Sequence, residues 1–193
     1  MSGSRLVVVK VGGGLSTTAG ALEAVGRALA VVGRGHRLLV VPGGGPFADA
    51  VRAFDRREGL SADAAHWMAM LAMDQYAHVL VERIPGAVLL EEPGAIGSAL
   101  PGNGVAVLAP SRWLRAADVL PHDWSVTSDS VAAFVAGAVD AERLVLIKPV
   151  GPKAGGSGAE LVDGGFASVL PAGLAWSVVG WEEAGTLEHL LSA

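Results

Sequence analysis

The chain has no cysteine. Disulfide bonds, thiolate nucleophiles and cysteine-ligated zinc are therefore excluded. Positive charge is also scarce: 14 Lys and Arg stand against 19 Asp and Glu among 193 residues, a net charge of -5. A nucleic-acid surface needs a basic stripe, which this composition does not offer. Apolar residues reach 51% and the mean hydropathy is +0.48, yet no uninterrupted apolar run attains the roughly 18 residues of a membrane-spanning helix. The opening Met1-Ser2-Gly3-Ser4-Arg5 leads directly into an apolar run, which predicts no signal peptide. Walker, GxGxxG, HExxH and GxSxG signatures are all missing. The expectation is one cytoplasmic domain over residues 1–193, its apolar excess held in a sheet covered on both faces.

What is present is one device used twice. Leu6-Val7-Val8-Val9-Lys10-Val11 runs into Gly12-Gly13-Gly14, and Leu38-Leu39-Val40-Val41-Pro42 runs into Gly43-Gly44-Gly45-Pro46. Runs rich in valine and leucine read as buried parallel strands. Glycines at the carboxyl end let the backbone turn and approach a ligand. A following helix aims free N–H groups and its positive dipole end at that point, which favours a phosphate. Two such turns side by side suggest two phosphate groups and phosphoryl transfer. Each also reads as a tight strand-to-helix turn and nothing more.

Lys10 sits near the end of the first strand, where α/β sheets gather ligand groups. A lysine among valines is costly to bury without an anion, unless it snorkels to the sheet edge. Ser16, Thr17 and Thr18 are cap candidates for a helix over 19–33. The helix after Pro46 places Phe47, Ala48, Val51 and Phe54 inward and Asp49, Arg52, Asp55, Arg56 and Arg57 mainly outward. Residues 61–84 form the longest helix, capped by Ser61 and apolar nearly all round, so it must be covered on several sides. A homodimer contact is the simplest cover. His66 and Asp74 in that helix either line a substrate pocket or are satisfied polar groups. Residues 91–104 read as loop, and Arg112 and Arg115 either reach a phosphate or lie on the surface.

Thr127-Ser128-Asp129-Ser130 opens another apolar helix, with Thr127 or Ser128 as cap and Asp129 as a first-turn acid. Asp129 can also face the glycine turns and orient lysines. Lys148 ends a further buried strand, at 143–147, as Lys10 ends the first. Residues 149–158 are rich in glycine and proline and read as mobile. The tail, 176–193, supplies one more strand and a short helix.

Taken together, Lys10-Val11-Gly12-Gly13-Gly14-Leu15, Val41-Pro42-Gly43-Gly44-Gly45-Pro46-Phe47-Ala48 and Thr127-Ser128-Asp129-Ser130 resemble the amino acid kinase family. That resemblance implies an α/β fold, a three-layer αβα sandwich with an open, mainly parallel sheet. It assigns about 1–125 to the acceptor side and about 126–193 to a shortened nucleotide side. Ala65-His66-Trp67-Met68-Ala69-Met70-Leu71-Ala72-Met73-Asp74-Gln75-Tyr76 further resembles the small kinases of methanofuran-type one-carbon cofactor synthesis, which act on aminomethylfuran phosphate. The resemblance implies ATP and Mg2+ as cofactors and a small phosphorylated acceptor. Lys10, Asp129 and Lys148 would be catalytic. Gly12, Gly13, Gly14, Lys148 and Lys153 would hold the ATP phosphates, and Gly43, Gly44, Gly45, Asp74 and His66 the acceptor. Asp74 or Asp129 would meet an acceptor ammonium, and no protein-held metal is picked out. Family members carry an acid where Pro149 stands here. The alternatives are an anion or small-molecule binder on the same fold and a kinase with a carboxylate acceptor.

Overall fold

The computed structural model describes residues 6–154 and 156–192. Six strands form one sheet: β1 (Leu6–Val11), β2 (Arg37–Pro42), β3 (Val88–Leu90), β4 (Gly104–Leu108), β5 (Arg143–Lys148) and β6 (Ala175–Gly180). Their order is β3-β4-β2-β1-β5-β6, and every pair is parallel. The sheet expected to be mainly parallel is therefore wholly so.

Alternation along each strand sorts the core into two layers. Val7, Val9, Val11, Val40, Val107, Val145 and Ile147 face one side, where α1 (Ala21–Val32) and α8 (Leu187–Ser192) cover them. Val8, Leu39, Val41, Leu108, Leu144 and Leu146 face the other, beneath α5 (Ser111–Ala117), α6 (Ser128–Ala138) and α7 (Phe166–Val169). This is the three-layer sandwich. The short α4 (Ile96–Ala99) lies in the stretch expected to be loop.

The long helix is covered within the chain itself. After α2 (Gly45–Glu58) comes α3 (Ala62–Arg83), with Ser61 as its cap: the Ser61 hydroxyl accepts from the Ala64 amide at 3.2 Å. Its first half gives Ala69, Met70 and Met73 to one core layer, and its second half gives Tyr76, Ala77 and Leu80 to the other. A helix serving both layers must be apolar on changing sides. The exposed stripe that remains runs through Leu71, Gln75, His78 and Glu82, mostly polar. The cover is thus found within the chain, and no partner is needed to explain it. Among the described residues no helix is long and apolar enough to cross a membrane.

The expected caps of α1 also differ. Gly20 occupies the cap position in the left-handed region, at φ 75°. Ser16 and Thr17 instead donate to the Gly13 and Gly14 carbonyls, at 2.8 and 2.9 Å, and stiffen the turn after β1.

Gly26 in α1 lies directly under the carbonyl of Arg83 at the end of α3, where an added Cβ would collide with backbone. Glycine to alanine inside a helix ordinarily gains about 1 kcal/mol. Here overpacking, which costs about 1–3 kcal/mol, wins. Gly26→Ala should lower the urea-unfolding midpoint.

Candidate active site

The topology selects the place. From β1 the chain builds outward on one side through β2, β4 and β3, then returns to add β5 on the other flank of β1. Ligands of open parallel sheets bind at such a reversal, beyond the carboxyl ends. Lys10 and Lys148 stand there on adjacent strands. Lys10 shares the parity of Val8, and Lys148 that of Leu144 and Leu146, so both point toward the α6 face.

They converge on Asp129, in the first turn of α6. Lys148 Nζ donates to Oδ2 at 2.6 Å. Lys10 Nζ lies 2.8 Å from Oδ1, an ion pair off the line of a hydrogen bond. Lys10 and Asp129 are 5% and 3% exposed, so water screens neither. Burial pulls the Lys10 ammonium below its ordinary value, against the opposing pull of Asp129. Burial works to raise the Asp129 carboxyl as well, but the two ammonium groups outweigh it and hold the carboxyl below its usual range.

Asp163 fixes this group from behind. Its carboxylate accepts from the Thr127 amide at 2.9 Å, the Thr127 hydroxyl at 2.7 Å and the Ser130 amide at 3.1 Å, and also from the Ser130 hydroxyl. The α6 cap expected of Thr127 or Ser128 is therefore supplied by a side chain 36 residues further on. The Asp163 amide in turn donates to Asp129 Oδ2 at 3.2 Å, and Lys148 also donates to the Leu161 carbonyl. The sequence did not single out Asp163. A carboxylate followed by Gly164-Gly165 was the available signal.

The two glycine turns pack against one another, backbone to backbone. A Cβ on Gly13 would lie 2.8 Å from the Gly45 Cα, and one on Gly43 would lie 3.0 Å from the Gly13 Cα. A Cβ on Gly45, which has φ +55°, would lie 2.9 Å from the Tyr76 ring. The six positions are not equivalent as anion donors. Gly12 donates to the Ile147 carbonyl and Gly43 to the Val11 carbonyl, both at 2.8 Å, so their amides extend the sheet. The Gly13, Gly14, Gly44 and Gly45 amides have no partner among the described residues. These four glycines line a pocket of about 260 Å³, together with Met70 and Met73 of α3 and Trp124, Thr127 and Ser128.

Arg52 also lines this pocket, where an outward position was expected. Its guanidinium stacks 4.7 Å from the centre of the Trp124 ring and pairs with Asp49 at 3.0 Å. Asp74 lies elsewhere. Both its oxygens are taken by Ser111, at 2.9 Å from the amide and by the hydroxyl, so it caps α5. His66 lines a neighbouring hollow. Lys153 is exposed. Arg112 pairs with Glu92 at 2.9 Å, and Arg115 stacks 4.5 Å over Trp67, away from the glycine turns. In the stretch read as mobile, Pro149 and Gly151 pack against the glycine turn and β6. A Cβ on Gly14 would lie 2.9 Å from the Pro149 ring, and one on Gly151 would lie 2.9 Å from the Gly180 amide.

Free amides at two glycine turns, two lysines sharing one carboxylate and the start of α6 meet at one edge of a parallel α/β sandwich, groups of the kind that receive an oxyanion. The model of the amino acid kinase family matches residues 5–151, and the chain belongs to that family. It is 27% identical over 143 residues to the [5-(aminomethyl)furan-3-yl]methyl phosphate kinase of Methanocaldococcus jannaschii, a match covering 74% of this chain and 65% of that protein. The chain thus matches just under two thirds of that relative's length. Among solved structures, the UMP kinase of Bacillus anthracis is 12% identical with a TM-score of 0.66, over 98% of this chain and 93% of that one. The uridylate kinase of Archaeoglobus fulgidus is 19% identical with a TM-score of 0.59, over 77% and 64%. These likenesses establish the fold.

Removing the shared carboxylate leaves two ammonium groups, one of them deeply buried, with only the more distant Asp163 as counter-charge. Breaking a buried pair costs about 3–5 kcal/mol. Asp129→Asn should lose stability of that order at neutral pH. Because the folded-state carboxyl titrates low, its contribution is full above the ordinary carboxylate range and vanishes as pH falls through the folded value. Urea unfolding of the wild type should therefore weaken toward acid more steeply than that of the variant. Asp163→Ala, which uncaps α6, should cost about 1–2 kcal/mol in the same measurement.

Proposed function

We propose that this chain is a small-molecule kinase that moves the γ-phosphoryl group of ATP onto a phosphomonoester, giving ADP and a diphosphate. The buried Lys10–Asp129–Lys148 cluster beside the two glycine turns carries this reading. The bond from the γ-phosphorus to the β,γ-bridging oxygen breaks, and one to an oxygen of the acceptor phosphate forms. That acceptor oxygen is already anionic near neutral pH, so no general base is required. The burden falls on positioning and charge neutralisation. Lys10 and Lys148 neutralise the moving group, and Asp129 holds both ammonium groups in place. The free amides of Gly13 and Gly14 serve the transferred phosphoryl group, and those of Gly44 and Gly45, with Arg52, serve the acceptor phosphate. The M. jannaschii relative supports aminomethylfuran phosphate as the acceptor, within methanofuran-type cofactor synthesis.

Magnesium is expected with a nucleoside triphosphate, but the residues here do not fit a resident ion. Among the described residues no three His, Asp or Glu side chains are grouped to hold one, and both Asp129 oxygens face lysines. The ion would be held by the nucleotide's own oxygens.

One observation favours a second reading. The Pro149 ring crowds Gly14, at the position where the family resemblance leads to an acid. That suits a relative that binds an anion without transfer. With MgATP and aminomethylfuran phosphate, the wild type should release ADP in a coupled assay, and Lys10→Ala should lower kcat/KM about 100- to 1000-fold. Absence of ADP, with anion binding retained in calorimetry, would replace the kinase by the binder.

A further inference from the structure

We infer that a second hollow, beside the glycine-lined pocket, seats the organic body of the acceptor and recognises a cationic amine on it through His66 and Asp123. The inference rests on the phosphoryl-transfer reading for what occupies the first pocket; the second is argued from its own side chains.

The hollow has a volume of about 240 Å³ and lies between the end of α2, the first half of α3 and the loop around Trp124. It shares Ala69, Met70, Trp124 and Val126 with the first pocket, so the two adjoin across a common wall and are together called the trough. Trp124 is the partition. The residue at one turn of α2, Arg52, stacks on its ring at 4.7 Å, and the next, Asp55, accepts from its Nε1 at 2.9 Å.

The walls are largely apolar, and one polar side chain among them is unaccounted for. His66 is only 7% exposed. Its ring nitrogens have no hydrogen-bond partner among the described residues, and the residue lines the hollow. A core histidine is normally satisfied, and a buried polar group left alone costs stability. Its stacked neighbour His122, with ring centres 4.1 Å apart, shows the contrast. His122 lies 2.7 Å from Asp63 and 2.9 Å from Asp118, so both its nitrogens are taken and this trio is net acidic when the imidazole is charged. Burial, and then the charge of His122, hold His66 below its ordinary pKa, so near neutrality its ring offers a lone pair.

The carboxylates of the hollow are also unequal. Asp55 is engaged on both oxygens, by the Leu60 amide at 3.1 Å and by Trp124. Asp123 accepts on Oδ1 from the Ser125 amide at 2.8 Å and the Ser125 hydroxyl, and the Val126 amide also favours its charged form; Oδ2 makes no hydrogen bond to another side chain among the described residues. The far end of the trough therefore presents a carboxylate oxygen and an imidazole lone pair. The near end presents free amides and Arg52. An ammonium needs acceptors and a phosphate needs donors. The trough is ordered for a molecule that carries both, with an apolar ring between them.

The test uses calorimetry without nucleotide, which reads binding independently of turnover. The probes are [5-(aminomethyl)furan-3-yl]methyl phosphate and the same phosphate with hydroxymethyl in place of aminomethyl. The wild type should prefer the amine about 10- to 100-fold, the range of a charge-assisted contact. Asp123→Asn keeps an oxygen to accept from Ser125 and removes the charge, at an exposed position. It should reduce the preference to within about threefold while leaving the affinity for the hydroxymethyl compound near that of the wild type. His66→Leu should also lose the preference. Equal affinity for the two probes, an undiminished preference in Asp123→Asn, or no binding of either probe overturns the inference. A preference for the amine without ADP formation would retain this subsite and reject the kinase; ADP formation without preference would do the reverse.

Discussion

Two ammonium groups share one carboxylate at the carboxyl edge of the sheet, and the site depends on that arrangement. Lys10, Lys148 and Asp129 alone carry one positive charge in excess, which the nearby Asp163 carboxylate offsets in part. Lys10 and Asp129 are almost sealed from water, where a stray charge is expensive. Buried ion pairs seldom improve on well-packed apolar residues for stability. What the excess charge does well is draw an anion, and the neighbouring unpaired amides of Gly13, Gly14, Gly44 and Gly45 point to the same kind of ligand. Asp163 anchors the cluster by capping α6 and by donating its amide to Asp129.

The triple glycines serve two demands that coincide. One is steric: the turns after β1 and β2 touch backbone to backbone, and Gly45 sits against the Tyr76 ring. The other is chemical, since amides released from the sheet are available to a ligand. Gly12 and Gly43 meet only the steric demand, because their amides pair with carbonyls at the ends of β5 and β1. A glycine count therefore overstates the number of amides free to meet a ligand.

Much of this was legible in the residues. Val, Leu and Ile runs gave the central strands, and Lys10 and Lys148 stood out as lysines at the carboxyl ends of two of them. Asp129 stood out as an acid at the start of an apolar helix. Three things were not legible, each for a physical reason. Asp163 caps a helix far from it in sequence, and no local pattern encodes a distant cap. Arg52 looks like one of several arginines on a solvated face, and only the approach of Trp124 from another loop turns it into the pocket. Asp74 looked like a ligand group because it is polar in an apolar helix, yet its partner Ser111 begins a helix that the sequence alone did not mark. The apolar circumference of α3 was read correctly, but its cause is that the helix leaves one core layer and enters the other.

The pairing of β1 with β5 has a consequence for how the molecule is made. β1 is the first strand in the chain, and its second neighbour begins at Arg143. As the chain emerges, β1, β2 and β4 can associate through their own residues, but the flank of β1 carrying Lys10 stays open until β5 arrives. Contacts between such distant segments form late, because loop closure must precede them. The ion cluster is in this sense a clasp, shut near the end of folding. A chain stopped before β5 would carry much of the apolar core and an unpaired central strand edge, the feature from which parallel-sheet proteins are most prone to associate wrongly.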